Sequence, residues 1–465
     1  MESKEASLDP PVQAAEVPIG SGEKLHKKFG TDILASFSGE IFLFLAALLL
    51  GILTARFLGA DGKGRFNVIY YAVGLLSTIC SLRFQIAITY YLSKKKELLG
   101  EVVVTGLIVG VFATGGVLLF TTAFPQFFKQ YLVRGIEVQI YVLGLLGASV
   151  FLWSLIIALL AGLQHFRTRA IFMGSSYVLK SVQVIVSLGL FHQDLNGLLM
   201  TMGMVEVAVY AIVIVYLLRG VKVYRVNLTA FVEMLKYAVA SFPGTISDLI
   251  TLRIDVFFVN FFSGASQVGL YTVSISIANM LLYIPTAVKS VLMPFIASQG
   301  SREITPGLSR LLILILSILS VGLIPVVWIG LIPFYGVEFG FSRFLFLVLL
   351  PGSICWAIFS LLSADLEGRG LPWKASTISM ATAATTILLD MILIPSSGAL
   401  GAALASTISY ALAMLLAVIL YRRITGVRVG SMLFPRGEDI RLVIHFASQL
   451  LARARETRTN YDPER

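Results

Sequence analysis

The sequence predicts an all-α integral membrane protein of about twelve transmembrane helices in two similar six-helix lobes. Three observations predict it: little charge, a dozen long apolar runs, and a motif that recurs after about two hundred residues. Of the 465 residues, 57% are hydrophobic and 13% charged, and the mean hydropathy is +0.87. A soluble domain carries about 25% charged residues, so water is not the main solvent of this chain.

A bilayer core about 30 Å thick is crossed by roughly 20 apolar residues in a helix. Windows of that length, bounded by charges or turn residues, fall at 33–53, 66–92, 102–124, 138–163, 170–191, 195–218, 237–261, 270–297, 308–334, 344–362, 375–394 and 399–421. These runs are too long for barrel strands and lack a period of two, and in lipid a helix satisfies their backbone groups from within. Residues 1–31 form a polar tail with Pro10, Pro11 and Pro18 and no signal-like apolar stretch, which leaves targeting to the first span. Cys80 and Cys355 fall inside spans, which speaks against a disulfide framework and for packing.

The formal net charge is +10, and its distribution explains it. Of the 36 Lys and Arg residues, 26 lie in alternate segments that begin with the N-terminal tail. The complementary links hold Arg56, Lys63, Arg65, Lys129, Arg134 and Arg343, and four more (Arg83, Lys180, Arg253, Lys289) lie within spans. This is the positive-inside pattern with both termini cytoplasmic, and it requires no nucleic-acid partner.

The recurring motif reads FLGADGKGRF at 57–66 and FSGASQVGLY at 262–271. Phe57/Phe262, Gly59/Gly264, Ala60/Ala265 and Gly64/Gly269 are identical at an offset of 205. The offset returns elsewhere: 159–170 corresponds to 361–375 at 202 to 203, and Gly197 to Gly401 at 204. Six spans return the chain to its starting side, so this is a parallel duplication. An N-lobe at 32–218 and a C-lobe at 237–421 are joined by a cytoplasmic link at 219–236, read as a surface helix or a plain linker. Two such lobes can rock around a site at their interface near the midplane, as a V-shaped alternating-access bundle. In the basic tail at 422–465, residues 439–458 carry an apolar stripe beside arginines; they read as an amphipathic helix on the anionic leaflet, a partner-binding segment or a disordered tail.

Proline distinguishes the lobes. Spans 1 to 6 have none in their interiors, whereas Pro243, Pro285, Pro294, Pro325, Pro333 and Pro351 fall in or near spans 7 to 10. Each removes a helix bond and favours a kink, which makes Pro243, Pro285, Pro325 and Pro351 hinge candidates, with static bends as the alternative.

ARFLGADGKGRFNVIYYAVGLLS (55–77), the stretch from LKYAVASFPG to KSVLMP (235–294) and the stretch from DLEGRGLPWKA to GALGAALASTISYAL (365–412) resemble the polysaccharide transporter family of oligosaccharide-lipid flippases. That family belongs to the multidrug/oligosaccharidyl-lipid/polysaccharide exporter superfamily, with the multidrug and toxin extrusion antiporters and the peptidoglycan lipid flippases. The resemblance covers nearly all of 32–421 and is sharpest around Asp255, at Gly-Leu-Tyr 269–271 and at 398–403. It implies a flippase of a prokaryotic cytoplasmic membrane. Its substrate would be a polyprenyl-diphosphate-linked oligosaccharide, moved to the outer leaflet by alternating access for cell-surface polysaccharide synthesis. Membrane lipids and other polysaccharide assembly proteins are the remaining expected partners.

A charge at bilayer depth costs several kcal/mol, so it faces a cavity or a partner. Arg83, Lys180, Arg253 and Lys289, drawn from both lobes, are what a diphosphate headgroup would need while the lobes change partners. Arg83 stands where the family more often has a small residue, which reads as a local specialisation or a slightly shifted span. Lys289 and Arg253 have a second reading, snorkelling or pairing with Asp248 and Asp255. The intramembrane acids Glu40, Glu206, Asp248, Asp255 and Asp390 are candidates for coupling to sodium or protons, or for structural ion pairs such as Glu206 with Lys180. No cofactor or metal is expected.

Tyr70, Tyr71, Tyr90, Tyr91, Trp328 and Trp373 lie at span ends, where interfacial belts form; which aromatics would stack on sugars is not legible. A multidrug antiporter would share the fold, with a cavity dominated by acidic and aromatic groups. A membrane glycan polymerase or ligase would need a large external loop, and every external link is short. His26, His165, His192 and His445 are scattered among tails and links, and no catalytic or phosphate-loop pattern is found.

Overall fold

The computed structural model of the chain describes residues 22–219, 228–299 and 304–441, and nearly all of them are helical. Helix α1 (Gly22–Cys80) is broken at Gly59, where φ 67° and ψ −173° turn the chain in a region that favours glycine. There follow α2 (Gln85–Lys94), α3 (Leu99–Ala123), the single turn α4 (Pro125–Phe127), α5 (Ile140–Gly162), α6 (Phe166–Val184) and α7 (Leu195–Leu217). The second half of the chain holds α8 (Leu228–Ser263), α9 (Ala265–Ala278), α10 (Tyr283–Gln299), α11 (Ile304–Tyr335), α12 (Ser342–Gly368), α13 (Pro372–Thr425) and the short α14 (Gly430–Leu433). Gly264 separates α8 from α9 with φ 84° and ψ 171°, close to the conformation of Gly59.

Backbone conformation repeats with the sequence. Positive φ occurs at Gly59 and Gly264, Gly135 and Gly336, Gln164 and Gly370, and His192 and Gly398. The members of these pairs are 205, 201, 206 and 206 residues apart. Turns, not only letters, follow the offset read from the sequence.

Nine helices among the described residues are long and apolar enough to cross a membrane, against the dozen spans expected. The difference lies at three places. Residues 41–80 run as one helix through Gly59, and α13 runs through its own break at Gly398 (φ 55°, ψ −131°). The third is α8, whose 36 residues would suffice in length but carry Glu233, Lys236, Asp248, Arg253 and Asp255. The expected second span is also interrupted, since Leu82 and Arg83 adopt φ 46° and 52° and part α1 from α2.

The two motif copies pack against each other. A Cβ on Gly64 would come 1.7 Å from the Ala265 carbonyl oxygen, and one on Gly269 would come 2.0 Å from that of Ala60. Absent side chains let two backbones touch, the usual device where lipid on all sides removes a hydrophobic drive between helices. Beside this contact Val68, Ile69, Ala72 and Val73 of α1 share one buried cluster with Val268, Leu270, Tyr271 and Val273 of α9.

Two arginines reinforce the same end, here called the turn end. Arg56 of α1 donates through Nε to the Phe334 carbonyl at 2.9 Å and through Nη2 to that of Pro333. Arg134, in the segment before α5, donates to the Phe261 carbonyl of α8 at 2.9 Å, while Asn260 Nδ2 donates to the Arg134 carbonyl at 3.1 Å. Residue 56 corresponds to 261, and the segment around 134 to that around 335, so the two clasps are related by the repeat with the arginine on opposite partners. Glu338 Oε2 adds a bond from the Ala60 N–H at 2.9 Å.

Pro243, Pro325 and Pro351 lie inside α8, α11 and α12, and Pro285 is the third residue of α10. Of the expected link at 219–236, residues 228–236 belong to α8 and residues 220–227 lie outside the described residues. Residues 1–21 of the tail and most of the amphipathic segment expected at 439–458 lie outside them too.

Candidate functional site

The turn end is filled by the Gly64–Gly269 contact, and the space in the bundle lies on the other side of it. A cavity of about 840 Å³ opens between the first half of the chain and α8. Its wall follows helical periodicity: Tyr70, Gly74, Ser77 and Ser81 on α1 and the turn after it, Ile86, Thr89 and Ser93 on α2, and Val150, Ser154, Ile157 and Ala161 on α5. Tyr237, Ile250, Arg253 and Phe257 close it from α8, and Arg169 and Met173 from α6.

Three guanidinium groups face this space. Arg83 reaches it because the helix breaks there; two consecutive non-glycine residues with positive φ cost about 1–3 kcal/mol each, and such strain is typically held at functional sites. Arg253 stands over the Tyr71 ring, with its Cζ 4.9 Å from the centroid. Arg169, one turn into α6, has a buried Nε with no hydrogen-bond partner among the described residues. None of the three has a carboxylate within 4.0 Å among the described residues, and none of the residues lining the cavity is acidic.

The other two expected cations stand elsewhere. Lys180 Nζ lies 3.6 Å from Glu206 Oε1 and donates to the Tyr70 hydroxyl at 2.8 Å, so the pair sits behind the cavity wall with Tyr70 between. Lys289, partly exposed, lies 3.9 Å from Glu367 and does not line the cavity. The sequence placed Arg169 in a link, as a topological charge among 159–170. Its cavity position carries no signal in a single sequence.

The acids separate in the same way. Asp255 is buried in α8: Oδ2 accepts from the Tyr271 hydroxyl and from Ser406 Oγ at 3.2 Å, and Oδ1 from the Val256 N–H at 2.7 Å. Asp390 of α13 is fully buried, and neither carboxylate oxygen has a partner among the described residues. Asp248 has one buried, unpartnered oxygen, and Glu40 lies in α1 outside the residues whose side chains are described.

At the repeat offsets, Asp255, Tyr271, Asp390 and Ser406 correspond to Leu50, Phe66, Val184 and Met202. All four counterparts are buried and apolar. The polar cluster therefore belongs to one half of the chain, which a purely architectural need common to both halves would not produce.

Long apolar helices packed around a cationic cavity define a multi-pass membrane protein. The comparisons with known proteins agree. No protein-family model matches the chain. A curated relative, the probable flippase AglR of Haloferax volcanii, is 29% identical over 176 residues, which are 36% of this chain and 37% of that protein. Among solved structures, the lipid II flippase MurJ in an inward closed conformation superposes with a TM-score of 0.67 at 15% identity, covering 84% of this chain and 87% of MurJ. An inward-facing multidrug resistance MATE family transporter of the MOP superfamily gives 0.65 at 15% identity, over 85% of this chain and 98% of the other. The MATE multidrug transporter DinF-BH gives 0.64 at 13%, over 90% and 100%. The chain shares its fold with MurJ and these MATE transporters, and about a third of its sequence is similar to that of a probable flippase.

Proposed function

We propose that the chain is a flippase that carries a polyprenyl-diphosphate-linked oligosaccharide from the cytoplasmic to the outer leaflet of a prokaryotic cytoplasmic membrane. The observation that carries this reading is the charge of the cavity: among the described residues three arginines line it with no carboxylate within 4.0 Å, and no acidic residue lines it. A diphosphate is the ligand that such a set of planar, bidentate donors fits. A cation antiporter would need the opposite balance. The names of AglR and MurJ support a lipid-borne substrate.

In this reading the chain forms twelve spans in two lobes, 32–218 and 237–421, with the breaks at Gly59 and Gly398 each dividing two spans. Both termini are cytoplasmic, the turn end faces outward, and the cavity is the inward-open state of an alternating-access cycle. Arg83, Arg169 and Arg253 hold the diphosphate, Lys180 supports Tyr70 from behind, and Lys289 stands outside the site. Asp255 and Asp390 form the coupling pair for sodium or protons, because Asp390 is buried without a partner among the described residues and such a carboxylate is costly unless it is protonated or binds a cation.

The test is leaflet exchange in proteoliposomes. A fluorescent polyprenyl diphosphate bearing an oligosaccharide is placed in one leaflet and followed into the other, for the parent and for Arg83→Ala. Transport by the parent and at least a tenfold loss in a folded variant are expected. A parent that leaves this lipid where it was placed under every ion gradient, while exporting organic cations, overturns the proposal.

A further inference from the structure

Of the aromatic side chains that line the cavity, Trp153 and the buried Phe257 have neither a ring partner nor a cation over the face among the described residues, and Trp153 is the more exposed of the two. Tyr90 and Tyr237 stack on each other at 4.4 Å between ring centroids, and the Tyr71 face is taken by Arg253. Tyr70 is engaged by Lys180. Trp153 of α5 lines the same cavity and has no ring partner, no cation over its face and no acceptor for its indole N–H among the described residues. The half-buried indole packs in part on the apolar cluster of Ile88, Leu92 and Leu155, and the remainder borders the cavity with an N–H that has no acceptor there among the described residues.

Polar, uncharged residues line the cavity alongside it. Ser154, the next residue, accepts from Gln85 Nε2 at 2.9 Å, and Thr89 donates to the Ala158 carbonyl at 3.2 Å, so α2 and α5 are tied together beside Trp153. The Gln85 amide oxygen accepts no hydrogen bond from another side chain among the described residues. Gln85 is two residues from Arg83, which places this neutral shelf next to the cationic one.

A flat aromatic face, a single N–H and an amide with neighbouring hydroxyl groups is the chemistry that recognises a pyranose, whose C–H face stacks while its hydroxyl groups exchange hydrogen bonds. The surface would gain nothing from a phosphate, for which it offers no charge, or from a lipid tail, for which its polar groups are a penalty. We infer that Trp153, with Gln85 and Ser154, forms a sugar subsite that holds the first sugar of the glycan beside the diphosphate bound by the arginines. The inference rests on the flippase reading and adds to it that the protein distinguishes a glycosylated diphosphate lipid from a bare one.

The experiment compares two probes in the purified, reconstituted protein: bare polyprenyl diphosphate, and the same lipid bearing a disaccharide of N-acetylglucosamine. Binding and leaflet exchange are followed for the parent, Trp153→Ala, Trp153→Phe and Arg83→Ala, with thermal unfolding as the check on folding. The parent is expected to prefer the glycosylated lipid at least tenfold. Trp153→Ala should abolish that preference with binding of the bare lipid unchanged, Trp153→Phe should keep most of it, and Arg83→Ala should weaken both lipids alike. A parent without preference, or a Trp153→Ala variant that loses both lipids equally, overturns the subsite and leaves the flippase reading in place. A parent that binds neither lipid overturns both.

Discussion

Asn67 Nδ2 donates to Thr272 Oγ1 at 2.7 Å, and the two residues occupy the same place in the two halves of the chain, 205 positions apart. A contact between equivalent positions marks a local two-fold relation between the motif copies. It explains why the chain carries the motif twice: each copy is the other's packing surface.

Close approach at this relation predicts the cost of filling it. Gly64→Ala and Gly269→Ala should each destabilise the protein by about 1–3 kcal/mol or more, as overpacking does. Gly115→Ala, where an added Cβ meets nothing within 4 Å, should be neutral or slightly stabilising. Thermal unfolding in one detergent ranks the three.

Lys180 and Glu206 are predicted to act on stability as a pair. Removing either partner leaves a buried charge and should cost about 3–5 kcal/mol, whereas Lys180→Met combined with Glu206→Leu should recover most of it. Unfolding of the two single variants and the double variant decides between this and a direct substrate role, in which the double variant would fold yet fail to bind.

The repeat-related clasps hold the turn end shut. Arg56→Ala with Arg134→Ala should shift the population toward separation at that end. Spin labels at Phe57 and Phe262, each 44% exposed, should then show a longer distance component than in the parent. An unchanged distribution would place the closure in the glycine contact instead.

Asp390 is predicted to matter to the driving force before it matters to substrate. Asp390→Asn should keep lipid binding and lose the response of transport to an imposed sodium or proton gradient, measured in the same vesicles. Loss of binding with the gradient response intact would contradict that role.

Beyond the last apolar helix, Asp439 accepts from Nε of Arg310, in the first turns of α11, at 2.8 Å, and this bond holds its carboxyl below the usual carboxylate range. The folded pKa is depressed, so the contribution is present above the unfolded value of about 3.9 and is lost as pH falls through the folded one. Hydrogen exchange in Gly430–Leu433 should therefore quicken below about pH 4, and Asp439→Asn should remove that dependence.

Helical membrane character was legible because the solvent writes it into composition, and the offset of 205 because Gly59 and Gly264 stand where the backbone takes positive φ. Arg83 and Arg253 were legible as charges interrupting apolar runs, which a bilayer tolerates only with a reason. Arg169 was not, since a cation near a span end reads as topology whichever way it points. Lys180 reads in the sequence as either a cavity group or the partner of Glu206, and only the packing of α6 on α7 places the two 3.6 Å apart. Trp153 is one aromatic among many in the sequence; its place in the cavity wall, with an N–H that has no acceptor among the described residues, comes from how α5 packs and is not written in the letters around it.

The obstacle that an alanine at position 64 would meet is a carbonyl oxygen of Ala265, and at position 269 that of Ala60. Second-site suppressors usually work by trimming the side chain that clashes, and here there is none to trim. Revertants of a lesion at either glycine should be true revertants or changes that move a whole helix, so the two codons are bound to a choice that neighbouring mutations cannot renegotiate.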